Sequence, residues 1–139
     1  MRLALTLLSA VIIAACQPAA APHPVIVSHV SAFNAGDVAA MGRLEHPDIE
    51  WINVENSALS IEVSGRAELA SMMTDYMLAN PTVTGTLRDW SINGDYVSVT
   101  ETATWTNTAG AQQSQSALSV YQIEDNLIRR VWYYPAVPN

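Results

Sequence analysis

The sequence predicts one α+β domain in which three helices precede a long antiparallel run of strands. Apolar residues recur at 3- and 4-residue steps in the first part of the chain, which is typical of helices. From Thr82 onward, Thr, Val, Tyr and Trp dominate, and these residues favour strands. A chain of 139 residues has room for one core of ordinary size. Helices followed by strands therefore indicate the α+β class.

Three helices are predicted before Thr82, where the composition changes. Pro24 favours the first turn of a helix, and Gly36 favours its end in a left-handed conformation. The apolar face of this helix carries Ile26, His29, Val30 and Phe33. Asp37 is a predicted N-cap for a second, short helix that Pro47 ends. Ser64 is the predicted N-cap of a third helix, which Asn80-Pro81 ends.

The strands follow from composition and from turn signals. Residues 49–54 predict a strand before the third helix, and a polar loop is expected around residues 55–60. Asn93-Gly94-Asp95 is a hairpin signal in the second half of the chain. The strands predicted there are residues 82–92, 96–108, 114–123 and 127–134.

Charge and composition exclude several function classes. Thirteen acidic residues against 6 basic ones give a net charge of −7, which argues against a nucleic-acid partner. All basic residues are Arg, so a lysine Schiff base is excluded. No cofactor motif is present. His46 with Asp48 and Glu50 is a weak metal candidate that is more typical of a solvated turn, so no metal and no cofactor are predicted.

The N-terminal segment predicts targeting. Residues 3–15 are an apolar run with the length of a signal-peptide core, too short for a membrane-spanning helix. Ile13-Ala14-Ala15-Cys16 resembles the bacterial lipobox, in which the Cys is lipidated. We therefore expect a signal peptide (1–15), a lipidated tether (16–24) and a domain (25–139). The expected location is the cell envelope, anchored by lipid on Cys16 to the periplasmic side of the outer membrane; the alternative is a secreted or periplasmic protein.

Two long stretches of the domain are FNAGDVAAMGRLEHPDIEW (residues 33–51) and SVYQIEDNLIRRVWYY (residues 119–134). They resemble the nuclear transport factor 2-like superfamily, and within it the SnoaL-like and steroid-isomerase-like members. The resemblance implies a strongly curved antiparallel sheet wrapped against three N-terminal helices. This cone-shaped, cystatin-like fold holds a mostly apolar pocket, and members commonly form homodimers through the open sheet face.

The resemblance also implies where catalytic residues would stand. The oxyanion donor of the steroid isomerases matches His29, their base matches Asn53, and their second acidic residue matches Ser119. An amide cannot accept a proton at neutral pH, so steroid-type isomerisation by that route is not expected. His29, Asn53 and Ser119 remain the candidate catalytic residues, with His29 either a pocket acid/base or a core histidine.

Glu101 leaves two interpretations open. It alternates with Val97 and Val99, which would put a carboxylate on an apolar, inward strand face with Arg130 as its partner. Alternatively, this strand face meets solvent, and a one-residue bulge turns the neighbouring Thr residues inward. The candidate ligand-binding residues are Trp51, Tyr76, Glu101, Tyr121, Arg130, Trp132 and Tyr134.

Three functions follow from these features. The first is an envelope protein whose pocket binds a small, largely apolar molecule without converting it. The second is a SnoaL-like isomerase, cyclase, dehydratase or hydrolase that uses His29 as acid/base. The third is a scaffold that binds proteins through its sheet. Buried titratable groups with shifted pKa values around a pocket would favour the enzyme, whereas a filled core would favour the scaffold.

Overall fold

The computed structural model describes residues 20–139, which form three helices and one sheet. The predicted signal peptide and the predicted lipidation site at Cys16 lie outside these residues. Within them, no helix combines the length and the apolar character that spanning a membrane requires.

The helices precede most of the strands, as predicted. The helices are α1 (Pro24–Asn34), α2 (Val38–Arg43) and α3 (Arg66–Ala79). The strands are β1 (Glu45–Glu55), β2 (Ala58–Ser64), β3 (Thr84–Asn93), β4 (Tyr96–Thr106), β5 (Gln112–Glu124), β6 (Leu127–Tyr133) and β7 (Val137–Pro138).

Local side-chain chemistry sets the boundaries of the first two helices. Pro24 occupies the first turn of α1, and Gly36 follows the helix with a φ of 68°, as predicted. The Asp37 carboxylate accepts a hydrogen bond of 2.8 Å from the Ala40 amide, which confirms Asp37 as the N-cap of α2.

The sheet is curved, unclosed and mixed, with the strand order β2-β1-β6-β5-β4-β3 and β7 paired to β5. Strands β3 to β6 form the predicted antiparallel meander. Strand β1 instead runs parallel to β6, which brings the first strand beside the last. The predicted α+β fold, with a curved sheet against three helices, is therefore confirmed, and only the β1–β6 pairing departs from an all-antiparallel sheet.

Three local predictions around β1 and β2 are wrong. The expected polar loop is a tight turn at Asn56 and Ser57, whose φ values of 50° and 66° reverse the chain into β2. Ser64 ends β2, and Gly65 stands at the N-cap of α3 without a side-chain cap. Pro47 does not end α2 but lies inside β1, where the pairing with β6 is interrupted and a missing N–H costs no ladder bond.

The core lies between the helices and the inner face of the sheet. It includes Ile26 of α1, Leu69 of α3 and Val99 of β4, none of which is more than 1% exposed. Helix α1 is also tied to β3 by Asn34, whose side chain donates to the Gly85 carbonyl at 2.9 Å and accepts from the Gly85 amide at 2.7 Å. These contacts fix the position of α1 over the sheet.

Candidate functional site

A cavity of about 460 Å³ lies between α1, α3 and the inner face of the sheet. Pockets that hold small organic molecules fall in this size range. Most of the lining is apolar or aromatic, and no Arg of residues 20–139 contributes to it. The lining includes Val30, Phe33, Met41, Trp51, Met72, Met73, Tyr76, Leu87, Ala103, Ala117, Tyr121, Tyr133 and Tyr134.

Glu101 provides a polar centre on the wall that β4 contributes. Its strand neighbours Val97 and Val99 are buried, so the same face of β4 turns Glu101 inward. The Tyr121 hydroxyl donates to one carboxylate oxygen, and the Tyr133 hydroxyl lies 3.2 Å from both. The two tyrosine hydroxyls are themselves 3.3 Å apart. Three adjacent strands thus supply one connected hydrogen-bonded group.

This environment shifts the acidity of all three side chains. Burial raises the pKa of Glu101 above its ordinary value of 4.5, although the surrounding hydroxyls and a positive charge on His29 oppose part of the rise. Burial, followed by the charge of Glu101, raises the pKa of Tyr121 and of Tyr133 well above the usual 10.0. Both tyrosines therefore stay protonated at neutral pH and act as donors.

His29 forms a second polar group on the α1 side of the cavity. Its Nε2 lies 2.8 Å from Oε1 of Glu45, and both side chains are buried. The Arg66 guanidinium donates to the Glu45 carbonyl, which fastens α3 to the start of β1. Among residues 20–139, Nδ1 of His29 makes no hydrogen bond, so it is the nitrogen available to a molecule in the cavity.

The family profile of the SnoaL-like domain matches residues 26–131, well over half of the chain. The chain belongs to the SnoaL-like family. No curated protein matches it significantly in sequence.

Solved structures of similar fold agree with this assignment. IdmH, a proposed polyketide cyclase from Streptomyces antibioticus, is 19% identical with a TM-score of 0.67, covering 83% of this chain and 89% of its own. AclR, a proposed hydroxylase from Streptomyces galilaeus, is 18% identical with a TM-score of 0.63, covering 83% and 86%. RV0760c from Mycobacterium tuberculosis, solved with estradiol-17beta-hemisuccinate, is 14% identical with a TM-score of 0.66, covering 80% and 90%. At these identities the similarity shows the fold alone.

Six of the ten candidate catalytic and ligand-binding residues line the cavity of this SnoaL-like domain. Of the two interpretations for Glu101, the inward orientation is the one that the structure has. The six are His29, Trp51, Tyr76, Glu101, Tyr121 and Tyr134.

Asn53 and Ser119 do not line the cavity. The Asn53 amide donates to the carboxylate of Glu62, which does line it. Ser119 is fully buried on the inner face; it lies near Glu101, but within residues 20–139 its hydroxyl makes no hydrogen bond of normal geometry. Ser119 therefore lies behind the lining, whereas Asn53 reaches it through Glu62.

Arg130 and Trp132 lie on the outer face of the sheet instead of partnering Glu101. Arg130 donates to the side chains of Glu50 and Gln122, and the Trp132 ring packs at 6.2 Å from that of Tyr96. An unbroken β6 would place Arg130 and Trp132 on the same face as the buried Ile128. The β5–β6 register instead shifts between Gln122 and Ile123. The shift turns Val131 and Tyr133, rather than their neighbours, toward the inside.

Sequence reasoning missed Glu45, Glu62 and Tyr133. The predicted second helix extends to Pro47 and so includes Glu45, whose partner His29 lies 16 residues away. Glu62 lay just beyond the expected loop, although Leu59, Ile61 and Val63 alternate with polar residues as in a strand. Tyr133 faces outward in an unbroken β6, and only the register shift turns it inward.

A metal centre has no ligand set in the described part of the chain. No group of three or more His, Cys, Asp or Glu side chains there is arranged to hold an ion. The His46 ring and the Asp48 carboxylate approach to 4.0 Å, and Asp48 is largely exposed.

Proposed function

We propose that the protein binds a small, largely apolar molecule in the cavity and exchanges protons with it through His29. One observation carries this proposal. Two hydrogen-bonded titratable groups, His29 with Glu45 and Glu101 with Tyr121 and Tyr133, face the same largely apolar cavity. Such groups cost stability in an apolar interior, so their convergence on a cavity supports a chemical role.

The roles follow from the contacts. Glu45 fixes the imidazole ring, and Nδ1 of His29 can then accept or return a proton at a carbon or oxygen of the ligand. Glu101 accepts hydrogen bonds from the Tyr121 and Tyr133 hydroxyls, and these three side chains together hold the polar end of the ligand. Proton transfer of this kind underlies isomerisation, cyclisation and dehydration. The similar structures described as a polyketide cyclase and as a steroid complex are compatible with such a ligand.

Proton exchange at activated carbon tests the proposal. The purified domain is incubated in D₂O with apolar ketones, both neutral (2-tetralone) and cationic (N-benzyl-4-piperidone), and deuterium uptake is followed by NMR. We expect His29→Gln to reduce the catalysed rate by about 10²–10⁴-fold, as for other general bases. His46→Gln is the matched control, because His46 does not line the cavity. Equal rates for the wild type and His29→Gln would contradict the acid/base role.

Binding without turnover is the second candidate. It is favoured by Asn53 and Ser119, which stand where the steroid-isomerase resemblance implies carboxylates. A ligand that binds in the cavity while no ketone exchanges protons would support this alternative. Anchoring through Cys16 would place either activity at the envelope.

We also propose a homodimer through the outer sheet face. This face exposes Tyr96 of β4 and Leu118 of β5, which are 48% and 46% exposed. Sedimentation equilibrium is expected to give a dimer that Leu118→Glu dissociates, because a charge in an apolar contact is costly. A monomeric wild type at all concentrations would contradict this.

A further inference from the structure

The Glu101 carboxylate has no cationic partner in the described structure. The ion pairs formed by residues 20–139 use other carboxylates, and no Arg lines the cavity. The sequence contains no Lys. Arg129 and Arg130 pair with Glu50, and Arg66 donates to a backbone carbonyl, so these cations are engaged elsewhere.

The contacts of Glu101 suit a carboxylate. Both tyrosines donate to it, and neither can supply a positive charge. His29 also lines the cavity, but its Nε2 lies 2.8 Å from Glu45, so a protonated ring already has a counter-charge. A half-buried carboxylate in the cavity wall, with good hydrogen bonds but no counter-charge, is therefore open to a cation from outside the chain.

The rest of the cavity also favours positive charge. Trp51 and Tyr133 stack with ring centroids 4.4 Å apart, and Phe33 and Tyr76 lie 6.3 Å apart on the helical side. Aromatic faces attract organic cations and supply apolar contact area. Glu62 adds a second carboxylate to the lining.

We propose that the cavity selects a small apolar cation. The ammonium group of an amine pairs with the Glu101 carboxylate, and its hydrocarbon skeleton packs against the aromatic walls. This inference rests on the proposed function, because it names the ligand class of the same cavity. Carboxylates and phosphates of similar shape are disfavoured, since they would meet Glu101 and Glu62 without a cation to receive them.

Three ligands of one skeleton test the charge preference. Isothermal titration calorimetry near neutral pH compares 2-naphthylmethylammonium, 2-naphthalenemethanol and 2-naphthoate. We expect the amine to bind about tenfold more tightly than the alcohol, the size of one charge-assisted hydrogen bond, and the carboxylate to bind most weakly. Glu101→Gln should bring the amine to within about twofold of the alcohol, whereas Glu101→Asp should keep the preference. Glu55→Gln, at the exposed end of β1, is the matched control and should change nothing.

The outcomes separate the two proposals. Equal or tighter binding of the alcohol or the carboxylate by the wild type overturns charge selection, whether or not Glu101→Gln folds. An undiminished amine preference in a folded Glu101→Gln variant also overturns it. Proton exchange with ketones but no amine binding overturns the charge inference and leaves the proposed function standing. Neither exchange nor binding of any of the three ligands overturns both.

Discussion

His29 Nε2 and Glu45 Oε1 lie 2.8 Å apart and join the middle of α1 to the first residue of β1. His29 is 7% exposed and Glu45 is 2% exposed. Because an ionised carboxylate can only accept a hydrogen bond, Nε2 donates to Glu45, and in the neutral ring the lone pair then lies on Nδ1. The pair therefore favours the tautomer that the proposed proton transfer at Nδ1 needs, as carboxylate–histidine pairs do in many enzymes.

Breaking this pair from one side is expected to destabilise the domain. Glu45→Leu leaves a buried imidazole without its partner, and removal of one member of a buried pair typically costs about 3–5 kcal/mol. The double variant His29→Leu/Glu45→Leu should recover much of that loss, because an apolar pair needs no counter-charge. Urea unfolding of the wild type, both single variants and the double variant gives the coupling energy. A double variant no more stable than Glu45→Leu would mean that the pair does not act as a unit.

The contact between Asn34 and Gly85 gives a graded prediction. Asn34→Ala removes both hydrogen bonds that hold α1 to β3 and is expected to cost about 1–3 kcal/mol, since each such bond contributes roughly 0.5–1.5 kcal/mol. Asn34→Asp keeps an acceptor for the Gly85 amide but loses the donor, so its stability should be intermediate. Thermal unfolding measures the series. Equal stability of all three proteins would show that core packing alone positions α1.

The parts of the fold that the sequence predicted correctly depend on neighbours in the chain. Gly36, Asp37 and the Asn93-Gly94-Asp95 turn specify helix ends and a hairpin through contacts a few residues long. The alternation around Glu101 likewise depends only on the two-residue period of a strand. These signals remain readable without knowledge of the partner strands.

The incorrect predictions concern residues whose orientation or role depends on a partner far away in the sequence. The β5–β6 register shift reverses the orientation of Arg130 and Trp132, and nothing local to β6 indicates it. The role of Glu45 depends on a histidine on another element. The parallel pairing of β1 with β6 joins residues about 80 positions apart, as the contact between Glu50 and Arg130 illustrates. Consequently a mostly apolar cavity could be predicted, but the hydrogen-bonded groups that line it could not.

Lipid anchoring at Cys16 stays a prediction, because this residue lies before the described part of the chain. Cys16→Ser is expected to release the protein from the membrane fraction or to leave an unprocessed precursor, because the thiol that carries the lipid is absent. Gln17→Asp is the informative second variant, since Asp at that position resembles an inner-membrane retention signal in proteobacteria. Fractionation and mass spectrometry of the mature N-terminus check both. A soluble wild type lacking residues 1–21 would contradict the prediction.

Glu101 should make stability depend on pH in a direction that its environment determines. Because burial raises its pKa above 4.5, the folded chain binds the Glu101 proton more tightly than the unfolded chain does. The stabilisation that this group gives the folded state is therefore fully present below pH 4.5 and is lost as the pH rises through the folded-state pKa. Glu101→Gln keeps the size of the side chain without its titration. Urea unfolding from about pH 4 to about pH 8 should thus show the Gln variant gaining stability relative to the wild type as pH rises. Glu55→Gln, at an exposed position, should show no such trend. A difference between wild type and Glu101→Gln that stays constant with pH would mean that the carboxyl group titrates alike in both states, and the raised pKa would be wrong.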